Sequence, residues 1–67
     1  MSLGFELGYE MEFDEQGAGE PERRGKARED YEDTVSRLHG AALEAFEEEV
    51  SRGREQAKSD LWAESQW

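Results

Sequence analysis

Residues 3–13 read Leu3-Gly4-Phe5-Glu6-Leu7-Gly8-Tyr9-Glu10-Met11-Glu12-Phe13. Every odd position is apolar, and every even position is glycine or glutamate. Successive side chains of a β-strand point to opposite faces, so this alternation predicts one long strand over residues 2–14. One face is apolar, and the other is acidic apart from its glycines. No other stretch of the chain reads as a strand. A lone strand leaves backbone N–H and C=O groups unpaired along its edges, and the expected remedy is pairing with another molecule. Leu3, Phe5, Leu7, Tyr9, Met11 and Phe13 are therefore the expected interface residues. Gly4 and Gly8 on the opposite face permit close backbone approach or twist.

The 67 residues are enough for a single small domain. Chains of this size bury a modest fraction of their surface and usually need a disulfide, a metal or a partner subunit. Cysteine is absent, which removes disulfides and thiolate zinc sites. His39 is the lone histidine, so a histidine-rich metal site is excluded. Oligomerisation remains, and a homo-oligomer (dimer or higher) is the expectation.

Eighteen acidic residues against eight basic ones give a formal charge of -10. That balance disfavours direct nucleic-acid binding and anionic membrane surfaces, both of which need clustered Lys and Arg. It is compatible with a basic partner protein, and it also promotes solubility. No apolar run reaches the roughly 20 residues that cross a bilayer. No basic region followed by an apolar stretch marks a signal peptide. The expected location is the cytoplasm or the interior of a larger assembly.

Residues 15–26 (EQGAGEPERRGK) have no hydrophobic period and read as a flexible loop. Pro21 suits a first helical turn, whereas Gly25 argues for a later start near Ala27. Residues 27–58 read as one long amphipathic helix, with Tyr31, Val35, Leu38, Ala42, Ala45, Phe46 and Val50 at steps of mostly three and four. Asp33 with Arg37 and Glu48 with Arg52 are oriented for i,i+4 ion pairs. Gly40, beside Ala41 and Ala42, offers either a close helix contact or a break between two helices. Gly53 suggests a kink or stop. The tail, residues 59–67, carries Leu61, Trp62 and Trp67, which are candidate anchors because aromatic side chains are enriched at binding hot spots. The expected fold class is α+β: strand, Gly-rich loop and one long helix, either continuous or broken near Gly40 or Gly53. Two copies would pair as an antiparallel ribbon with helices packed on one face.

Signals for chemistry are weak. Glu12, Asp14, Gln16 and Gly17 fall at calcium-loop positions, but Arg23 stands where a bidentate Glu is required. Gly17-Ala18-Gly19 has the look of a nucleotide-binding turn, yet Glu15 and Glu20 would repel phosphates. His39 has no second ligand one turn away. The serines lack a histidine-based partner set for nucleophilic catalysis. No catalytic, cofactor-binding or metal-binding residue is assigned, and no cofactor is expected. The function expected is that of a non-enzymatic structural or interaction protein acting by strand pairing and helix packing. The alternative is an acidic inhibitor that mimics nucleic acid and blocks a basic groove, with Glu47, Glu48 and Glu49 as its densest charge.

Overall fold

Ser2 opens the first regular element, and that element is a helix. In the computed structural model, which describes residues 2–66, the Ser2 backbone is extended and its Oγ accepts the Phe5 amide at 3.2 Å. This is the hydrogen bond of a helix N-cap. Helix α1 spans Leu3–Glu15. At its other end Gly17 takes a positive φ of 76°. There the Ala18 amide donates to the Phe13 carbonyl at 2.8 Å, and the Gly17 amide to the Asp14 carbonyl at 3.1 Å. That pair of bonds is a Schellman motif, which closes the orphan carbonyls of a helix C-terminus. A short 3-10 turn over Pro21–Arg23 leads to α2 (Lys26–Arg37) and then to α3 (Ala41–Ser65).

The α+β expectation is therefore overturned. Of the described residues 82% are helical, and none lies in a strand. The alternation over 3–13 misleads because a spacing of two is also a spacing of four. Leu3, Leu7 and Met11 make one stripe along a helix. Gly4, Gly8 and Glu12 make the next, about 100° further round, and Phe5, Tyr9 and Phe13 the one after that. A helix also pairs its backbone within the segment. A strand here has no partner elsewhere in the chain, and unpaired backbone polar groups are costly to bury.

The glycine stripe, which a strand would have turned to solvent, is the centre of the buried face. Gly4, Gly8 and Glu12 are buried, whereas Glu6 and Glu10 on the far side are exposed. Gly4 lies against Phe46 and Glu49, Gly8 lies on the Val50 backbone, and Glu12 meets Arg54. Residue numbers climb together, so α1 and α3 run in the same direction. Gly53 completes the seam from the other helix. A methyl group on Gly8 would stand 2.8 Å from the Val50 carbonyl carbon, and one on Gly53 would stand 2.9 Å from the Tyr9 amide nitrogen. Each interior glycine costs a helix about 1 kcal/mol relative to alanine. Here the absent Cβ atoms are what let the two backbones touch.

α2 runs back between the ends of this pair. Arg28 near its start lies 3.8 Å from Glu15, while Tyr31 stacks on Phe46 with ring centroids 5.9 Å apart. Leu7, Met11, Ala27, Phe46 and Val50 form the core, with Tyr31, Val35 and Leu38 packed around it. The helix expected over 27–58 is present as two helices. They break at Gly40, whose φ of 65° and ψ of -141° lie in backbone space reserved for glycine. Of the two alternatives open at Gly40 the break is the one present, whereas Gly53, expected as a kink or stop, lies inside α3 and makes the close approach. The expected ion pairs Asp33–Arg37 and Glu48–Arg52 are formed, at 3.1 and 2.7 Å. No helix among the described residues is long and apolar enough to cross a membrane.

Candidate interaction surface

The residues expected at an interface separate into four environments. Leu7 and Met11 are buried, each 4% exposed, and belong to the chain's own core. Phe5, Tyr9 and Phe13 are half-buried and form a ladder along the outer flank of α1. Leu3 and Trp62 are the exposed large apolar side chains, at 58% and 68%. Leu61 is half-buried beside Trp62 at the end of α3. Trp67 lies outside the described residues. A single apolar face of six side chains is therefore not what the fold presents.

The aromatic ladder borders the seam. Phe5 and Tyr9 stack with centroids 6.4 Å apart, and Tyr9 and Phe13 with centroids 4.8 Å apart. The i,i+4 spacing places all three rings on one side of α1. Across the seam the Tyr9 hydroxyl donates to Asp60, and Asp60 also accepts from Gln56 at 2.9 Å. The hydrogen bond to Asp60 pushes the Tyr9 phenol up to about 12, with burial and the nearby carboxylates adding to the effect. The same bond, with that of Gln56, holds the Asp60 carboxyl below its usual range. Phe5, Glu6, Tyr9, Glu10, Gln56 and Asp60 line an open cleft at this border.

A second polar cluster ties the helices together beyond the core. Glu12 is 3% exposed. It accepts from Gln16 at 2.9 Å and from Arg54 at 3.2 Å. The Gln16 hydrogen bond lowers the Glu12 carboxyl, and Arg54 adds to this against the opposing effect of burial. Arg54 also reaches Glu15, which faces Arg28 on α2. A carboxylate buried with two hydrogen-bond donors is a structural group here. Both donors to it come from within the fold.

The other singled-out residues do not converge. No group of three or more His, Asp or Glu among the described residues is arranged to hold a metal ion. His39 is exposed in the break between α2 and α3. Asp14 is turned toward the chain that follows it, where its carboxylate accepts the Gly25 amide at 3.3 Å. The glutamate run fans out, because consecutive helical residues point about 100° apart. Glu47 accepts from the Tyr31 hydroxyl at 2.7 Å, Glu48 pairs with Arg52, and Glu49 packs over Gly4.

Sequence reasoning missed Glu6, Glu10, Gln56 and Asp60 as neighbours of the aromatic ladder. Two signals bear on them. The i,i+4 recurrence of Phe5, Tyr9 and Phe13 is helical as well as alternating. Gln56 and Asp60 share the same spacing on the helix opposite. That the two sets face one another is tertiary information. Comparison with protein-family models, with curated proteins and with solved structures finds no match.

Proposed function

We propose that this chain is a non-enzymatic interaction protein, an acidic helical module that docks on a basic partner protein. The observation that carries this reading is where the cations go. Among the described residues, every lysine and every arginine except Arg24 lies in an ion pair within the chain. The net charge of -10 is therefore displayed as carboxylates. Glu6, Glu20, Glu22, Glu29, Glu44 and Glu64 are all exposed and take part in no ion pair among the described residues. Such a surface steers and holds positively charged partners and repels anionic ones.

Docking by strand addition has no support once α1 is a helix. Helix packing and charge remain as the means of association. The test is co-purification from the native host at low ionic strength, followed by binding of the purified pair across a salt series. A stoichiometric partner rich in Lys and Arg is expected, with affinity falling as the Debye length shortens from about 10 Å at 0.1 M salt. An acidic partner, or binding indifferent to salt, would overturn the reading.

A further inference from the structure

We infer that the cleft between α1 and α3 is the docking site, and that its occupant is a basic amphipathic helix of the partner protein. The inference rests on the reading of the chain as an acidic interaction module and names the surface that module uses. The cleft is lined by Phe5, Glu6, Tyr9, Glu10, Gln56 and Asp60. The stacked rings of Phe5 and Tyr9 give it an apolar floor, and beyond the cleft the stack goes on to Phe13. From Phe5 to Phe13 the ladder runs about 12 Å, or roughly two helical turns.

Carboxylates stand on both long sides: Glu6 and Glu10 on α1, and Asp60 on α3. The Tyr9 and Gln56 hydrogen bonds keep Asp60 ionised. An apolar floor between two acidic rims matches a side chain with an apolar stem and a cationic head. Arginine and lysine have that form. Their stems lie on apolar surface while the heads reach charge, and a guanidinium also stacks on aromatic planes.

Charge decides among occupants. A second copy of this chain also carries -10 and would bring further carboxylates to an acidic rim. The fold itself supplies a small example of the recognition. The Arg23 guanidinium lies 3.8 Å from Glu10 at the end of the cleft, in a pair whose two side chains are 65% and 49% exposed. A pair so exposed is weak and is readily exchanged for an incoming arginine. A helix with Arg or Lys at i and i+4 on one face would set two cations along the ladder, one turn apart, with its aliphatic positions on the rings.

The probe is a synthetic helical peptide of about 18 residues, five turns, with arginine on one face and leucine on the other. Its control carries glutamate in place of arginine. Binding to the full chain is followed by amide chemical shifts and by titration calorimetry. The arginine peptide is expected to bind and the glutamate peptide not to bind. The shifts should concentrate at Phe5, Glu6, Tyr9, Glu10, Gln56 and Asp60.

Glu6→Lys should weaken binding about tenfold, because it puts a like charge on the rim. Glu29→Lys, the same charge change on an exposed position of α2, should weaken it less than about twofold. Glu10→Gln gives an intermediate loss, and circular dichroism reports that each variant keeps its helix content. Equal losses in Glu6→Lys and Glu29→Lys, or shifts centred on Trp62, would overturn the cleft and leave the module reading standing. Failure of the arginine peptide to bind at all would overturn the cleft. Loss of the module reading itself requires the host partner to be acidic or its binding salt-insensitive.

Discussion

The seam between α1 and α3 and the attachment of α2 hold helices together in opposite ways. At the seam, backbone meets backbone. Gly8 rests on the Val50 carbonyl and Gly53 on the Phe5 carbonyl, with no side chain between them. α2 is attached through side chains instead. Ala27 is its one buried residue among those described, and Tyr31, Val35 and Leu38 are half-buried against the core. The first contact is unforgiving, because a backbone cannot move aside as a rotamer can. The second is tolerant, because half-buried side chains can repack. In a chain this short the stiff seam does what a larger core would do in a larger domain.

The sharpest way to break the comparison is to add one carbon to the seam. Gly8→Ala and Gly53→Ala each gain about 1 kcal/mol of helix propensity, yet each is expected to destabilise the fold by roughly 3 kcal/mol or more. The same substitution on an isolated helix would stabilise. Urea unfolding of either variant at or above wild-type stability would show that the seam is not close-packed.

Next in size is Arg54→Ala, which leaves buried Glu12 with only Gln16 as its partner. A loss of about 2 kcal/mol is expected, less than for a fully buried pair because Arg54 is one-third exposed. On the other side of the comparison, Val35→Ala removes half-buried methyl groups from α2. It should cost about 1 kcal/mol, again by urea unfolding. Native-state hydrogen exchange sharpens the contrast further. The α2 amides should exchange before those of α1 and the central part of α3.

The last effect is on pH dependence. Tyr9 ionises near 12 in the folded chain and near 10 when unfolded. A group whose acid form is favoured by folding adds stability that is fully present below its unfolded value. That stability is lost as pH rises from about 10 toward 12. Tyr31, hydrogen-bonded to Glu47, shifts in the same direction. Absorbance titration of the two tyrosines should show delayed ionisation. Asp60→Asn should bring the later one back toward 10, whereas an unchanged titration in that variant would mean that the Tyr9–Asp60 bond is not formed.

Some of this was legible in the residues themselves. The periodicity of Tyr31, Val35, Leu38, Phe46 and Val50 marks helix wherever the chain is cut, because a three-and-four step fits no strand. The Asp33–Arg37 and Glu48–Arg52 pairs follow from spacing alone. Gly40 was visible as a candidate break. Ser2, which caps α1, and Gly17, which closes it, are helix end signals as well, and the expectation of a strand over residues 2–14 made no use of them.

Sequence by itself determined the acidity, the absence of cysteine and the helices of the second half, because composition and local period are properties of the chain alone. Tertiary structure decided α1. Over residues 3–13 the strict alternation reads as a strand, and the spacing of four contained in it leaves a helix open without favouring it. What separates the two is whether a neighbour exists that can use Gly4 and Gly8. α3 supplies it with Gly53, so the glycines that looked like the open side of a strand became the middle of a buried contact. The same docking placed Asp60 beside Tyr9 and so made the acidic cleft, which no local pattern in either segment contains.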